Sequence, residues 1–124
     1  AGHVIIHDHV TLGGFTLVSQ FITIGSYAFS TMGSAINKNI PPYIQVSGNL
    51  ARPVSLNLVG LKRKGFGQEA RSAMKQAFKW MFHSKEPLSG VVGKLSELTE
   101  QHPELALFRD FIVDQEKSKI GVLR

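Results

Sequence analysis

The chain has 124 residues, 43% of them apolar and only 19% charged, with twelve Gly, no Cys and a net charge of +5. This excludes a disordered chain, which needs low hydrophobicity and high charge. It also excludes a coiled coil, a disulfide scaffold and thiol chemistry, and the missing Cys suits a reducing compartment. No apolar run approaches the roughly 20 residues of a membrane-spanning helix, so no stable membrane insertion is expected.

The charge is divided unevenly. Residues 1–60 carry only Asp8, Lys38 and Arg52, whereas residues 61–124 carry twelve Lys/Arg against eight Asp/Glu. The first half is nearly neutral and rich in Gly and β-branched residues. The second half has the composition of amphipathic helices. A basic surface of this kind attracts an acidic partner or simply stays solvated.

Residues 1–42 repeat every six positions. Ile6, Leu12, Val18, Ile24 and Ile36 fall on one lattice, which only Ser30 breaks. Two places earlier stand Val4, Val10, Thr16, Ile22, Ala28 and Ser34, all β-branched or small. Helices need apolar steps of three and four, and a hairpin meander has no fixed six-residue beat. The pattern predicts short strands joined by tight turns and wound into a solenoid. Each lattice residue then points inward, and Gly13 and Gly25, one place later, ease the turn through their tolerance of positive φ.

Pro41-Pro42 ends the repeat. Residues 43–62 read as a connector, a loop with short extended pieces punctuated by Gly48, Pro53 and Gly60. Residues 63–124 read as a three-helix domain. Its first helix covers about 67–84, with Ala70, Met74, Ala77, Phe78, Met81 and Phe82 on one face. The second covers about 88–101, with Leu88, Val91, Leu95 and Leu98 inward. Pro103 suits the first turn of the third, which carries Leu107, Phe108, Phe111 and Ile112.

The hexads resemble the left-handed parallel β-helix of hexapeptide-repeat acyltransferases. Further strings narrow the resemblance: Ala1-Gly2-His3-Val4, Gly13-Gly14-Phe15-Thr16, Gln20-Phe21, Ile40-Pro41-Pro42-Tyr43, Gly48-Asn49 and Gly60-Leu61-Lys62-Arg63-Lys64-Gly65-Phe66. In this order and spacing, the whole chain is similar to the acyl-carrier-protein–UDP-N-acetylglucosamine O-acyltransferases, the first acyltransferases of lipid A biosynthesis. The fold so implied is β-solenoid plus α: the last coils of a left-handed parallel β-helix, then a small three-helix C-terminal domain. Three hexads make a coil in that family, so residues 1–42 supply little more than two. The chain therefore reads as the tail of a longer solenoid.

The resemblance implies transfer of a 3-hydroxyacyl group from acyl carrier protein to the 3-hydroxyl of UDP-N-acetylglucosamine. It implies a homotrimer in the bacterial cytoplasm, with sites between neighbouring β-helices. It implies no cofactor beyond the phosphopantetheine that carries the donor. Gly2 matches a glycine whose N–H faces the developing oxyanion, and His3 a histidine of the same groove. Gln20 matches a nucleotide-sugar contact, Asn57 a contact at the uracil end, and Arg63 and Lys64 the basic pair facing the diphosphate. Met32 falls at the position that limits acyl length, so its bulk predicts a chain nearer decanoyl than myristoyl. Lys75 and Lys79 join Lys62, Arg63 and Lys64 as a surface attractive to the acidic carrier protein.

The sequence also departs from the family. Ser19 and Leu50 stand where His is usual, Val59 replaces an acid, and Lys64 replaces an Arg. A UDP-sugar with an amine in place of the hydroxyl thus stays an alternative acceptor. The family's general base sits in an H-x-x-H-D motif that this sequence lacks, and Ile6-His7-Asp8-His9 has the wrong register for it. The 124 residues alone are expected to be inactive. The competing reading is a non-catalytic trimerising or carrier-binding module. His3, His7 and His9 do not converge in a solenoid whose stacked positions lie eighteen apart, so no metal is expected. Lys62-Arg63-Lys64 lacks interleaved aromatics, so no nucleic-acid partner is expected either.

Overall fold

The computed structural model describes residues 2–124; Ala1, which opens the Ala1-Gly2-His3-Val4 string, lies outside them. Six two-residue strands follow at the six-residue spacing: β1 (Ile5–Ile6), β2 (Thr11–Leu12), β3 (Leu17–Val18), β4 (Thr23–Ile24), β5 (Phe29–Ser30) and β6 (Ala35–Ile36). β1, β2 and β3 each pair in parallel with the strand three further on, so Ile5 faces Thr23, Thr11 faces Phe29 and Leu17 faces Ala35. The result is a solenoid with a separate sheet on each of three faces. Backbone bonds join the coils, as from Ile5 N–H to the Ile22 carbonyl at 2.9 Å and from Leu17 N–H to the Ser34 carbonyl at 2.8 Å.

Two lattice rows fill the interior. Ile24 and Ile36 are buried, and so are Ile22, Ala28 and Ser34 two places ahead of their lattice neighbours. Ser30, the break in the aliphatic row, is buried as well. Its hydroxyl accepts from Gly13 N–H at 3.3 Å and lies 2.9 Å from the Thr16 hydroxyl, so a polar atom removed from water stays partnered. Ile6 and Leu12 share the lattice but are 48% and 38% exposed, since no described coil packs over their side.

Gly13 and Gly25 have a different reason from the one expected. Neither is among the residues with positive φ. Both are needed because the next coil passes too close: a Cβ on Gly13 would lie 2.6 Å from the Met32 nitrogen, and one on Gly25 2.5 Å from the Pro42 nitrogen.

The solenoid ends by breaking its own register. Strand β7 (Ile44–Ser47) joins β5 in parallel, but Phe29 faces Gln45, sixteen residues along rather than eighteen. The chain then doubles back into β8 (Arg52–Leu56), antiparallel to β7, and enters α1 (Leu58–Arg63). The expected connector loop is thus a hairpin and a short helix. Pro53 is tolerated because β8 is the edge of its sheet.

Helices α2 (Gln68–Phe82), α3 (Leu88–Gln101) and α4 (Ala106–Gln115) follow, with a 3-10 turn over Pro103–Leu105 before α4. These three helices lie within residues 63–124, and α1 adds a fourth in the connector among the described residues. Met74, Met81, Val91, Leu95 and Ile112 meet in the core. Leu107, expected on the inner face of the last helix, is 48% exposed, and Leu105 of the 3-10 turn is buried instead.

Two buried polar residues tie helices to solenoid. Asn39 accepts from Thr23 N–H at 2.8 Å and donates to the Gln115 side chain at 3.0 Å. Its backbone also bonds Gly121 and Leu123. Tyr43 donates its hydroxyl to the Glu104 carbonyl at 2.7 Å. Burial, with Tyr27 and Glu104 adding to it, pushes the pKa of that hydroxyl well above the ordinary phenol value.

Gly13→Ala should lower unfolding stability by about 1–3 kcal/mol, because the obstacle is backbone. Gly14→Ala, whose Cβ would meet nothing nearer than the Met32 side chain at 4.0 Å, should be neutral in the same denaturation assay. Tyr43→Phe should cost about 1–2 kcal/mol near neutrality through the orphaned carbonyl. Above about pH 10 the unfolded tyrosine loses its proton while the folded one keeps it, so the parent loses stability as pH rises. The gap between parent and variant should therefore narrow in alkaline melts; a constant gap would contradict this.

Candidate functional site

A second six-residue series runs along the corners. His3, His9, Phe15, Phe21 and Tyr27 all have positive φ, between 58° and 66°, and Gly33 continues the series at 78°. Bulky residues seldom adopt this backbone. Here ring stacking between successive coils accompanies it. His3 lies on Phe21 with centroids 4.8 Å apart and planes 5° apart, and His9 lies on Tyr27 at 4.9 Å. Tyr27 stacks in turn on Tyr43, and Phe66 meets both edge-on. The sequence carries this series openly, at positions 3, 9, 15, 21 and 27, but the aliphatic lattice alone does not reveal it.

The coil spacing brings Gly2, His3 and Gln20 to one corner. Gly2 and Gln20 hold equivalent places in successive coils. Phe21 N–H donates to the Gly2 carbonyl at 3.1 Å, which fixes the peptide between Gly2 and His3. No atom lies within 4 Å of where a Gly2 Cβ would stand, and Gly2, His3 and Gln20 are exposed. Gly2, His3 and Gln20 thus leave a backbone amide, an imidazole and a primary amide on exposed residues of this corner, groups able to donate and accept toward a polar ligand. Lys38, one coil beyond Gln20, turns its ammonium to the Ile120 carbonyl at 2.9 Å.

Asn57, Arg63 and Lys64 belong to α1, by the second corner. Asn57 caps the helix: its Oδ1 accepts from Gly60 N–H at 3.2 Å, and its Nδ2 donates to the Tyr27 carbonyl at 3.0 Å. The residue is buried, and both polar ends of its amide are engaged. At the other end of α1, Arg63 and Lys64 are exposed and have no side-chain hydrogen bond or ion pair among the described residues. Their charge at a helix C-terminus is also favourable to the helix itself.

Met32 stands at the third corner, beside Gly33, and is 76% exposed; Phe15, on the coil before it, is 88% exposed. One chain therefore does not bring Met32 to the Gly2 corner. Among the described residues, no group of three or more His, Asp or Glu side chains is placed to hold a metal ion, and no helix is long and apolar enough to cross a membrane.

Residues 39–122 match the model of the family described as UDP N-acetylglucosamine O-acyltransferase, domain 2. The acyl-[acyl-carrier-protein]–UDP-N-acetylglucosamine O-acyltransferase of Alkalilimnicola ehrlichii is 42% identical over all of this chain and 47% of its own length. That of Pseudomonas paraeruginosa is 43% identical over 90% of this chain and 43% of its own length. The crystal structure of the Moraxella catarrhalis UDP-N-acetylglucosamine O-acyltransferase superposes with a TM-score of 0.93 at 34% identity, over all of this chain and 47% of that one. The Arabidopsis UDP-N-acetylglucosamine acyltransferase superposes at 0.89 with 29% identity, over 98% of this chain and 45% of that one. This chain thus spans about half the length of the relatives it matches. With the family model covering its connector and helices, and the relatives covering its coils, the chain belongs to the UDP-N-acetylglucosamine O-acyltransferase family.

Proposed function

We propose that this chain supplies part of the active site of an acyltransferase of lipid A biosynthesis in the bacterial cytoplasm. The enzyme moves a 3-hydroxyacyl group from the phosphopantetheine of acyl carrier protein to the 3-hydroxyl of UDP-N-acetylglucosamine. The observation that carries this is the exposed corner of Gly2, His3 and Gln20, standing in a chain that also presents the unpaired cations Arg63 and Lys64. In the reaction, a general base removes the sugar hydroxyl proton and the oxygen attacks the thioester carbonyl. The Gly2 N–H faces the oxygen that gains charge, a type of contact worth about 2.7–4 kcal/mol in a preorganised site. The pantetheine sulfur then leaves. His3 lines the groove on its Phe21 platform, and Gln20 holds the sugar nucleotide. Arg63 and Lys64 balance the diphosphate, with Arg63 able to bind it bidentately.

Asn57 serves the uracil end of this site. With its amide already engaged, it acts by holding α1, and hence the cationic pair, against the solenoid. Met32 limits the acyl chain from the third corner. Since Met32 and Gly2 occupy different corners, the complete site forms where copies of the left-handed solenoid meet in a homotrimer. The general base comes from an H-x-x-H-D motif that these 124 residues do not contain, so alone they should show no turnover.

Kinetics of the complete enzyme test this. Arg63→Ala should raise KM for UDP-N-acetylglucosamine about tenfold or more, the loss of one charged hydrogen bond, and leave KM for the acyl donor nearly unchanged. An unaltered sugar-nucleotide KM would refute the assignment. Met32→Gly should shift preference toward longer donors in a competition among acyl carrier proteins of graded chain length. An unchanged donor profile would remove Met32 from the groove.

A further inference from the structure

A second concavity lies away from the Gly2 corner and from Arg63 and Lys64. It is a cavity of about 250 Å³ between β8, the start of α1 and the last turns of α2. Val54 and Leu56, two apart on β8, form one wall, and Leu58 and Phe78 another. Val54 is 54% exposed, so the wall is open to solvent. Lys75, Lys79 and His83 stand four residues apart on α2 and at its C-cap, and they line the same cavity. Side chains at this spacing share one helix face, where the like charges of Lys75 and Lys79 repel.

Nothing nearby neutralises that stripe. No Asp or Glu lines the cavity. Among the described residues, neither Lys75 nor Lys79 has a side-chain hydrogen bond or ion pair, and the His83 ring meets the Phe78 ring edge-on. His83 also lines a wider groove of about 690 Å³, whose charged residues are Lys38, Arg52 and Arg124, again with no acid. The cations therefore continue from the apolar cavity to the far side of the β7–β8 hairpin.

An apolar recess with a cationic rim is complementary to a ligand with a short apolar body and an anionic head. We propose that this cavity binds a small anionic amphiphile. Its apolar chain lies against Val54, Leu56, Leu58 and Phe78, and its carboxylate or phosphate sits over Lys75 and Lys79 toward His83. The cavity shares no residue with Gly2, His3, Gln20, Met32, Asn57, Arg63 or Lys64, while its Lys75 and Lys79 also belong to the basic surface expected to attract the acidic carrier protein.

Calorimetric titration of the intact protein with hexyl phosphate, hexanoate and hexanol, under excess UDP-N-acetylglucosamine, tests it. Hexyl phosphate or hexanoate should bind at least about tenfold more tightly than hexanol, as charge-assisted contacts require. Whichever anion binds more tightly identifies the head group as phosphate or carboxylate. The exposed double variant Lys75→Glu/Lys79→Glu should lose the anion preference about tenfold and keep the melting temperature and the weak hexanol binding. A second variant, Val54→Asp, should abolish binding of all three. Anion binding unchanged in the lysine variant, equal affinity for hexanol, displacement by UDP-N-acetylglucosamine, or no binding at millimolar concentration would each overturn the proposal.

Discussion

The eighteen-residue stacking of one coil on the next is the constraint on which the molecule depends. Each two-residue strand is too short to hold itself, and β1, β2 and β3 each pair with a strand a full coil away. Strand length, turn length and coil length are therefore locked together. Any change at one corner must be matched at the corner above it. That is why Gly13 admits no side chain, and why the interior accepts Ser30 only with hydroxyl partners in the adjoining coil.

The same lock positions the chemistry. A left-handed backbone at each corner from His3 to Gly33 turns the chain sharply enough to start the next face. At two of the three corners aromatic and imidazole rings stack along the axis, offsetting part of the backbone strain, whereas Phe15 at the third is exposed. The residue beside each corner is then held at a fixed height and direction. Gly2 and Gln20 gain their alignment in this way, from the coil spacing and from the Phe21 N–H bond, and not from each other.

Much of this was legible in the sequence, for physical reasons. A solenoid writes its inward residues at a constant period, so the coils could be read from Ile6 to Ile36. Helices α2 and α3 showed through the spacing of Met74, Ala77, Phe78 and Met81 and of Val91 and Leu95. Helix α1 has only six residues, too few for periodicity, and its defining feature is the cap at Asn57, which needs the Tyr27 carbonyl of another coil. The hairpin was hidden because Gly48 and Pro53 are loop residues in most contexts, whereas an edge strand accepts them. Leu107 misled because the 3-10 turn advances by three residues rather than 3.6, which rotates Leu105 inward in its place. Of the site, the Gly2 corner and the cationic pair were accessible through resemblance. The apolar recess beneath Lys75 and Lys79 was not, since it joins a strand edge to a helix twenty residues away.

The broken register at the end of the solenoid has a further meaning. A stack of parallel coils is open-ended by nature, and its last rung would present unpaired backbone groups to any passing copy. Here each face is closed by something different. On the β5 face, β7 arrives two residues early and β8 runs backward across it. On the β4 face, Ile40 pairs with Ile24, and Val122 pairs with Asn39. On the β6 face, Asn49 pairs with Ala35. Three unlike terminators on three faces cannot all be matched by another coil. The helical end of this protein therefore offers no continuous coil edge on which a further parallel coil could stack.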